Sequence, residues 1–401
     1  MNQMGTRRED QRVAFVQFGD YLGAVERFSQ GGDETYYAQR YSVELVENLR
    51  QAYAGVTVIT VEANPHDRIL PSGVRSIGIS GKPSSRAVAR KLIVALEDCS
   101  PTAVVLRFPS IKILKWCLRT GIRVLPALAD SFQYQGLRGR IYTWRLAQCL
   151  NNTAIELVAN HQTPASRNLI NIGVEPSKIV AWDWPSPSSP SAHPVKTSVR
   201  VPGQISLLFA GKICEEKGVG DAIHAIAKLK QKGVAARAAI VGAGEIEHFK
   251  NLARDLDVQD DVEFTGLVPH KEVVNLMRAN DVVVVPSRHA YGEGLPMTIF
   301  DALTSRTPLV VSDHPMFVSY VEENRAALFF HEKDAEGLAG RLRQLINDPS
   351  LYHALSENSE AAWSRLQIPL MWGELVSRWL SGKDEDLRWL SQFTFKHHAY
   401  L

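Results

Sequence analysis

The sequence predicts an α/β protein of two Rossmann-like, doubly wound domains facing a central cleft. Three observations carry that expectation: a Pro/Ser-rich break in mid-chain, short apolar runs alternating with amphipathic stretches after it, and a looser version of the same alternation before it. The length of 401 residues suits two domains at about 150 residues each. With 45% hydrophobic and 22% charged residues the composition excludes a disordered tail, a collagen-like fibre and a coiled coil.

The break, PSPSSPSAHPVKTSVRVPG over 185–203, holds Pro185, Pro187, Pro190, Pro194 and Pro202 among serines. Such a stretch neither continues a helix nor pairs in a central strand. It divides the chain into a first domain over 1–185, a linker over 186–203 and a second domain over 204–365. The remainder, 366–401, is rich in Trp and Leu without a strand pattern, so it reads as helices that can return to the first domain. In the second domain the apolar runs fall at 205–211, 236–242, 262–266, 281–287, 308–313 and 326–330. Helical patterns lie between them at 219–232, 246–256, 271–279, 296–305 and 335–347. Strands that are apolar throughout are covered on both faces, as in a parallel sheet between helices. In the first domain the runs fall at 13–18, 56–61, 103–108, 123–128 and 154–159. Ligands in such sheets bind outside the carboxyl ends of the strands.

The formal net charge is only +2, but it is unevenly placed. Residues 1–200 carry 24 Lys and Arg against 16 Asp and Glu, and residues 201–401 carry 21 against 27. Over 101–150 eight cations face one acid, Asp130. A basic patch of this kind attracts anionic lipid, a phosphorylated acceptor or nucleic acid. No nucleic-acid-binding signature accompanies it, so nucleic acid is not an expected partner. Tyr142, Trp144 and Leu146 among Arg138, Arg140 and Arg145 fit either a membrane surface or a partly buried amphipathic helix. No apolar stretch approaches the roughly 20 residues that cross a bilayer. The first ten residues show no secretory signal, so the expected location is cytoplasmic, with peripheral contact at the inner membrane face. Cys99, Cys117, Cys149 and Cys214 are too widely spaced for a zinc site or a disulfide framework and read as reduced thiols.

The chemistry concentrates in PSRHAYGEGLPMTIFDALTSRTPLVVSD, residues 286–313. A buried strand ends at Pro286, a glycine-bearing loop follows, and a helix starts near Pro296, where a missing N–H costs nothing. The free N–H groups at that helix start, with the positive end of its dipole, make an anion seat. Glu293 precedes the seat and Asp301 lies on the helix, placed to accept hydrogen bonds from ribose hydroxyls.

The E-x7-E-like spacing of Glu293 and Asp301, between a strand ending in Pro-Ser and one reading TPLVVSD, resembles glycosyltransferase family 4 of the GT-B fold. LLFAGKICEEKGVGDAIHAI (207–226), AIVGAGEIEHFKNLARDL (239–256) and VEFTGLVPHKEVVNLMRANDVVVVPS (262–287) are similar to its successive βα units. The first half resembles the family through its GGDE loop and LVANH (157–161). The resemblance implies a retaining, metal-independent hexosyltransferase without a cofactor. A nucleotide-sugar donor (UDP-glucose type favoured, GDP-mannose next) binds the second domain, and a glycan or lipid-linked acceptor binds the first.

Carried over residue by residue, the resemblance assigns the donor diphosphate to Lys212 and Lys217 in the loop that begins at Gly211. Glu293 contacts the transferred sugar and phosphate, and Asp301 the ribose. Gly294 and Leu295 offer backbone N–H groups to the phosphates. Leu267 and Val268 hold the base, and Gly31 and Gly32 let backbone approach the phosphates. Two positions depart from the family pattern. Asp301 replaces a Glu, which sets its carboxylate back by one methylene, and Ala129 and Asp130 stand where many members carry a His. Asp130 joins Glu293, Lys217 and Lys212 in the candidate catalytic set, as a group that positions acceptor or donor sugar.

Other features read more blandly. GAGEIE (242–247) lacks the third glycine of a dinucleotide fingerprint and reads as a tight turn near the donor. Asp255 and Asp257 have D-x-D spacing but lie at a helix end, as a solvated turn. The histidines show no metal-ligand spacing, and His161 sits at a strand end where it can meet a ligand. Three rival functions remain beside sugar transfer: a nucleotide-sugar epimerase of this fold, a non-catalytic GT-B partner subunit, and a nicotinamide dehydrogenase. Acceptor-dependent release of nucleoside diphosphate separates transfer from all three.

Overall fold

The computed structural model describes residues 10–35, 37–132, 136–292, 294–323 and 325–398. They form two compact units. Unit 1 comprises the chain up to Glu34, Ala38–Pro185 and the segment from Ile368 onward; unit 2 comprises Thr35–Tyr37 and Ser186–Gln367.

Unit 1 is built on eight strands: β1 (Arg12–Phe18), β2 (Gly55–Val61), β3 (His66–Ile69), β4 (Arg75–Ile79), β5 (Ala103–Leu106), β6 (Arg123–Leu128), β7 (Val158–His161) and β8 (Ile179–Trp182). Their order is β3-β4-β2-β1-β5-β6-β7-β8, parallel except for the edge strand β3, which runs antiparallel to β4. Alternate side chains of β1 enter different cores. Val13 and Phe15 pack with Val43, Val46 and Leu49 of helix Gln39–Ala52, whereas Ala14 and Val16 pack with Leu92, Leu96 and Ile113 of the helices on the other face. This two-sided burial is why β1 reads as continuously apolar.

The structure adds strands that apolar runs do not announce. β3 is polar, β4 contains Arg75 and Gly78, and β8 has only four residues. The run at 154–159 is mostly approach: Ile155 is buried, but the strand begins at Val158. The segment from Ile368 completes unit 1. Asp183 N–H donates to Leu370 O at 3.0 Å and Trp372 N–H to Asp183 O at 2.8 Å. Trp372 and Trp379 are fully buried in the core that also holds Trp182. The Trp-rich composition of this segment therefore serves packing. All four cysteines are free thiols, and burial pushes Cys117 up to about 12.

Unit 2 has six parallel strands: β9 (Gln204–Ala210), β10 (Ala235–Val241), β11 (Val262–Gly266), β12 (Val282–Val285), β13 (Leu309–Ser312) and β14 (Ala327–Phe330). Each lies within a residue or two of an expected run, and the helices between them, Val219–Gln231 through Ala335–Asn347, do likewise. The order β11-β10-β9-β12-β13-β14 puts a topological switch point between β9 and β12. The Pro/Ser-rich stretch 186–203 forms no strand, yet it is tied to unit 2 by side chains. Arg306 Nε donates to Pro190 O at 2.8 Å, Lys196 N–H to Ser356 Oγ at 2.8 Å and Arg200 N–H to Asp281 Oδ1 at 2.8 Å.

Candidate donor site

Gly211, Lys212, Lys217, Gly294 and Leu295 of unit 2 lie after the carboxyl ends of β9 and β12, on either side of the switch point. After β9 the chain passes Gly211 and the exposed Lys212, makes a single 3-10 turn over Glu215–Lys217, and enters helix Val219–Gln231 through Gly218. After β12 it passes Pro286 and reaches helix Met297–Thr304, capped by Pro296 in extended conformation. Thr298 of that helix donates to Ala210 O at 3.0 Å.

Backbone contact locks the loops together. Gly218 has φ +72°, and a Cβ there would lie 2.1 Å from Pro286 O. Gly242 of the GAG turn has φ +144°, and its Cβ would lie 1.8 Å from Gly211 O. The turn glycines are thus required for close approach of the β10 loop to the lysine loop. For Gly218→Ala we predict lower thermal stability and weaker nucleotide binding, although no charge changes. The left-handed conformation alone costs about 1–2 kcal/mol, before the clash with Pro286 is counted. Paired denaturation and titration curves that match wild type would show that the two loops need no such contact.

Lys217 Nζ lies 4.6 Å from the centroid of the Tyr291 ring. Gly294 is half-buried and Leu295 is buried, just before the helix start. Glu293 lies outside the described residues. Asp301 is 8% exposed, and its Oδ2 is 3.2 Å from His270 Nε2. That pair ties helix Met297–Thr304 to the start of helix His270–Ala279, directly after Leu267 and Val268. Leu267 is 62% exposed and Val268 half-buried. Thus Gly211, Lys212, Lys217, Gly294 and Leu295 share the switch-point loops, and the His270 pair joins Asp301 to the β11 loop.

Sequence reasoning missed the groups that hold these loops. Arg288 reaches Asp221 Oδ1 at 2.9 Å and Glu215 Oε1 at 2.6 Å, while its N–H donates to Glu216 O at 2.8 Å. It fastens the β12 loop to the lysine turn and to the first turn of helix Val219–Gln231. His289 Nε2 is 2.9 Å from Asp313 Oδ1, and its N–H donates to Glu332 Oε2 at 2.6 Å. The buried His314 accepts from Met316 N–H through Nδ1, which leaves Nε2–H to donate to Tyr291 O at 3.2 Å. The histidines show no metal-ligand spacing in the sequence, and nothing local marks them as loop clamps.

In unit 1, Gly31 (φ +77°) and Gly32 follow helix Tyr21–Ser29. Arg40 donates to Gly32 O at 3.0 Å and Arg27 to Asp33 O at 2.9 Å, so two arginines fix the GGDE loop through its carbonyls. Asp130 Oδ1 accepts from Phe132 N–H at 2.8 Å, where Phe132 takes φ +54°, and Asn160 Nδ2 donates to Asp130 O at 2.9 Å. These contacts make Asp130 a turn-stabilising group after β6. His161 Nε2 lies 3.1 Å from the buried Asp183 Oδ1, with its ring against Trp182. In helix Gly136–Leu150, Trp144 is exposed, but Leu146 is fully buried and Tyr142 donates its hydroxyl proton inward to Pro109 O. Of the two readings of this stretch, the partly buried amphipathic helix is the one the structure shows.

Known proteins resemble the second half of this chain in sequence and nearly the whole of it in fold. Residues 196–362 match the family model for glycosyl transferases group 1. The amylovoran biosynthesis glycosyltransferase AmsK of Erwinia amylovora is 31% identical over 145 residues, 35% of this chain and 36% of that protein. The putative colanic acid biosynthesis glycosyltransferase WcaL of Escherichia coli K12 is 32% identical over 156 residues, 38% of each chain. The match thus spans little more than a third of these relatives. Over 93% of this chain and 100% of the other, the crystal structure of Anabaena Alr3699/HepE in complex with UDP-glucose superposes with a TM-score of 0.64 at 13% identity, which shows a common fold. This chain has the GT-B fold, and its residues 196–362 are similar to the glycosyl transferases group 1 family.

Proposed function

We propose that the protein is a retaining glycosyltransferase of polysaccharide biosynthesis. It moves a hexose from a nucleotide-sugar of the UDP-glucose type to a glycan or lipid-linked acceptor. The observation that carries this reading is the meeting of the lysine loop and a helix N-terminus at the switch point of a domain similar to group 1 glycosyl transferases. The biosynthetic roles in the names of AmsK and WcaL support a glycan acceptor, and the UDP-glucose complex of the HepE fold relative supports the donor class.

In this reading the bond from the sugar's anomeric carbon to the diphosphate breaks as the carbon becomes oxocarbenium-like. Lys212, Lys217 and the N–H groups of Gly294 and Leu295 stabilise the charge left on the diphosphate. With two ammoniums and a helix dipole in that role, the reading assigns no metal or cofactor. Glu293 contacts the transferred sugar. Asp301 keeps Oδ2 on His270 and offers Oδ1 to the ribose, a second anchor that offsets its shorter side chain. Attack comes from the leaving-group face, where the acceptor hydroxyl proton can pass to the departing phosphate oxygen.

Calorimetric titration with UDP, GDP, ADP, their glucose or mannose conjugates and NAD tests the donor assignment. We predict that UDP binds and that binding is lost in Lys217→Ala. Binding of NAD alone, or of no nucleotide, would refute it. An acceptor screen for UDP release, with the product anomer read by NMR and parallel reactions in chelator, tests transfer, retention and metal independence.

A further inference from the structure

The basic region of unit 1 is more than a charged surface, because one helix in it turns three large apolar side chains to solvent. Helix Gly136–Leu150 buries Thr143, Leu146, Ala147 and Leu150. On its outer side Leu137 is 74% exposed, Ile141 49% and Trp144 62%. At 3.6 residues per turn these three fall within about 60° of one another, a narrow stripe along the helix. Arg138 and Arg145 flank the stripe on one side and Arg140 on the other, all exposed. Neighbouring helices Arg86–Cys99 and Ile111–Thr120 form a groove whose charged lining is Arg86, Arg90, Lys112, Lys115 and Arg119, without an acid among its lining residues.

The geometry points to this face as a docking surface for an anionic lipid bilayer. An apolar stripe with Trp at its end, bordered by arginines, suits a helix lying in the interface plane, its rings and aliphatic chains among the acyl ends and its guanidiniums at the headgroups. The cations of the adjoining groove extend the electrostatic attraction beyond the helix. The same charge disfavours a second copy, since two such faces repel. No helix among the described residues is long and apolar enough to cross a membrane, so the contact is interfacial. Docking presents unit 1 to a membrane-borne acceptor. That consequence rests on the proposed transfer, whereas lipid binding itself does not.

The test is sedimentation of the full chain with vesicles of equimolar phosphatidylcholine and phosphatidylglycerol, and with phosphatidylcholine alone. Binding should favour the anionic vesicles by at least about tenfold and weaken with salt. The triple variant Leu137→Ser, Ile141→Ser, Trp144→Ser should lose at least about tenfold in bound fraction, with unchanged melting temperature and nucleotide titration. Arg140→Glu with Arg145→Glu, a second variant that leaves the stripe intact, should lose anionic preference. Equal binding to both lipids, no binding, or unimpaired binding by the triple variant would overturn the assignment. So would self-association of the wild type that the triple variant abolishes without any lipid effect. A chain that binds vesicles but no nucleotide would keep the docking surface and lose the transferase reading.

Discussion

Lys217→Ala is expected to lower sugar transfer by about 10²–10³-fold, the usual consequence of deleting one preorganised group from a site of developing negative charge. The melting temperature should barely move. Lys217 ends a single 3-10 turn, and its ammonium packs on the face of Tyr291 without entering a core. A half-buried cation-π contact contributes about 1 kcal/mol, far less than the transition-state charge it is proposed to meet. Steady-state kinetics with saturating acceptor checks the prediction. Loss in kcat, with donor affinity also reduced, fits a lysine that holds the diphosphate in both ground and transition states. Glu293→Ala should be comparably inactive at unchanged stability. Near-normal turnover in either variant would remove the switch-point loops from the chemistry.

Arg288→Met should produce the largest loss of stability. The guanidinium is 16% exposed and pairs with Asp221, whose side chain is 7% exposed. Removing one partner of a buried pair leaves the other charge stranded, at a cost of about 3–5 kcal/mol. The low end of that range applies here, because Asp221 lies in the first turn of helix Val219–Gln231, where the dipole favours an anion. The Glu215 contact adds little, since that carboxylate is half-exposed. Asp221→Asn combined with Arg288→Met should recover most of the loss. Denaturant unfolding of wild type, the two single variants and the double variant closes the cycle, and additive losses would mean that the pair is not coupled. Arg288→Met should also weaken nucleotide binding, because the same side chain and its N–H hold the lysine turn.

Much of unit 2 was legible because its strands are buried on both faces. VVVV at β12 and LVVS at β13 announce themselves without alternation. In unit 1 the edge was invisible: β3 is HDRI, a polar strand that takes its form from pairing with β4. The candidate donor residues were legible because they follow strand ends at fixed offsets. Their supports were not. Arg288 with Asp221 and His270 with Asp301 join positions 67 and 31 residues apart, and only the strand order brings them together. Asp130 is a further case. Its place after β6 suggested a role in positioning sugar, and its carboxylate also accepts from Phe132 N–H, a contact that arises only where the backbone turns to positive φ.

The return of the last segment to unit 1 also fixes a schedule for biosynthesis. Unit 2 is complete once the chain has been made through Gln367, since its small piece at 35–37 has been made long before. Unit 1 is not, because Trp372 and Trp379 belong to its core and Arg123 donates to Trp379 O at 3.0 Å. On the ribosome the later-made unit can therefore consolidate first, while the earlier-made one waits with Trp182 and its neighbours short of cover. Exposed apolar surface of this kind is where chaperones bind and where aggregation starts. The vulnerable interval in the synthesis of this chain runs from Trp182 to Trp379.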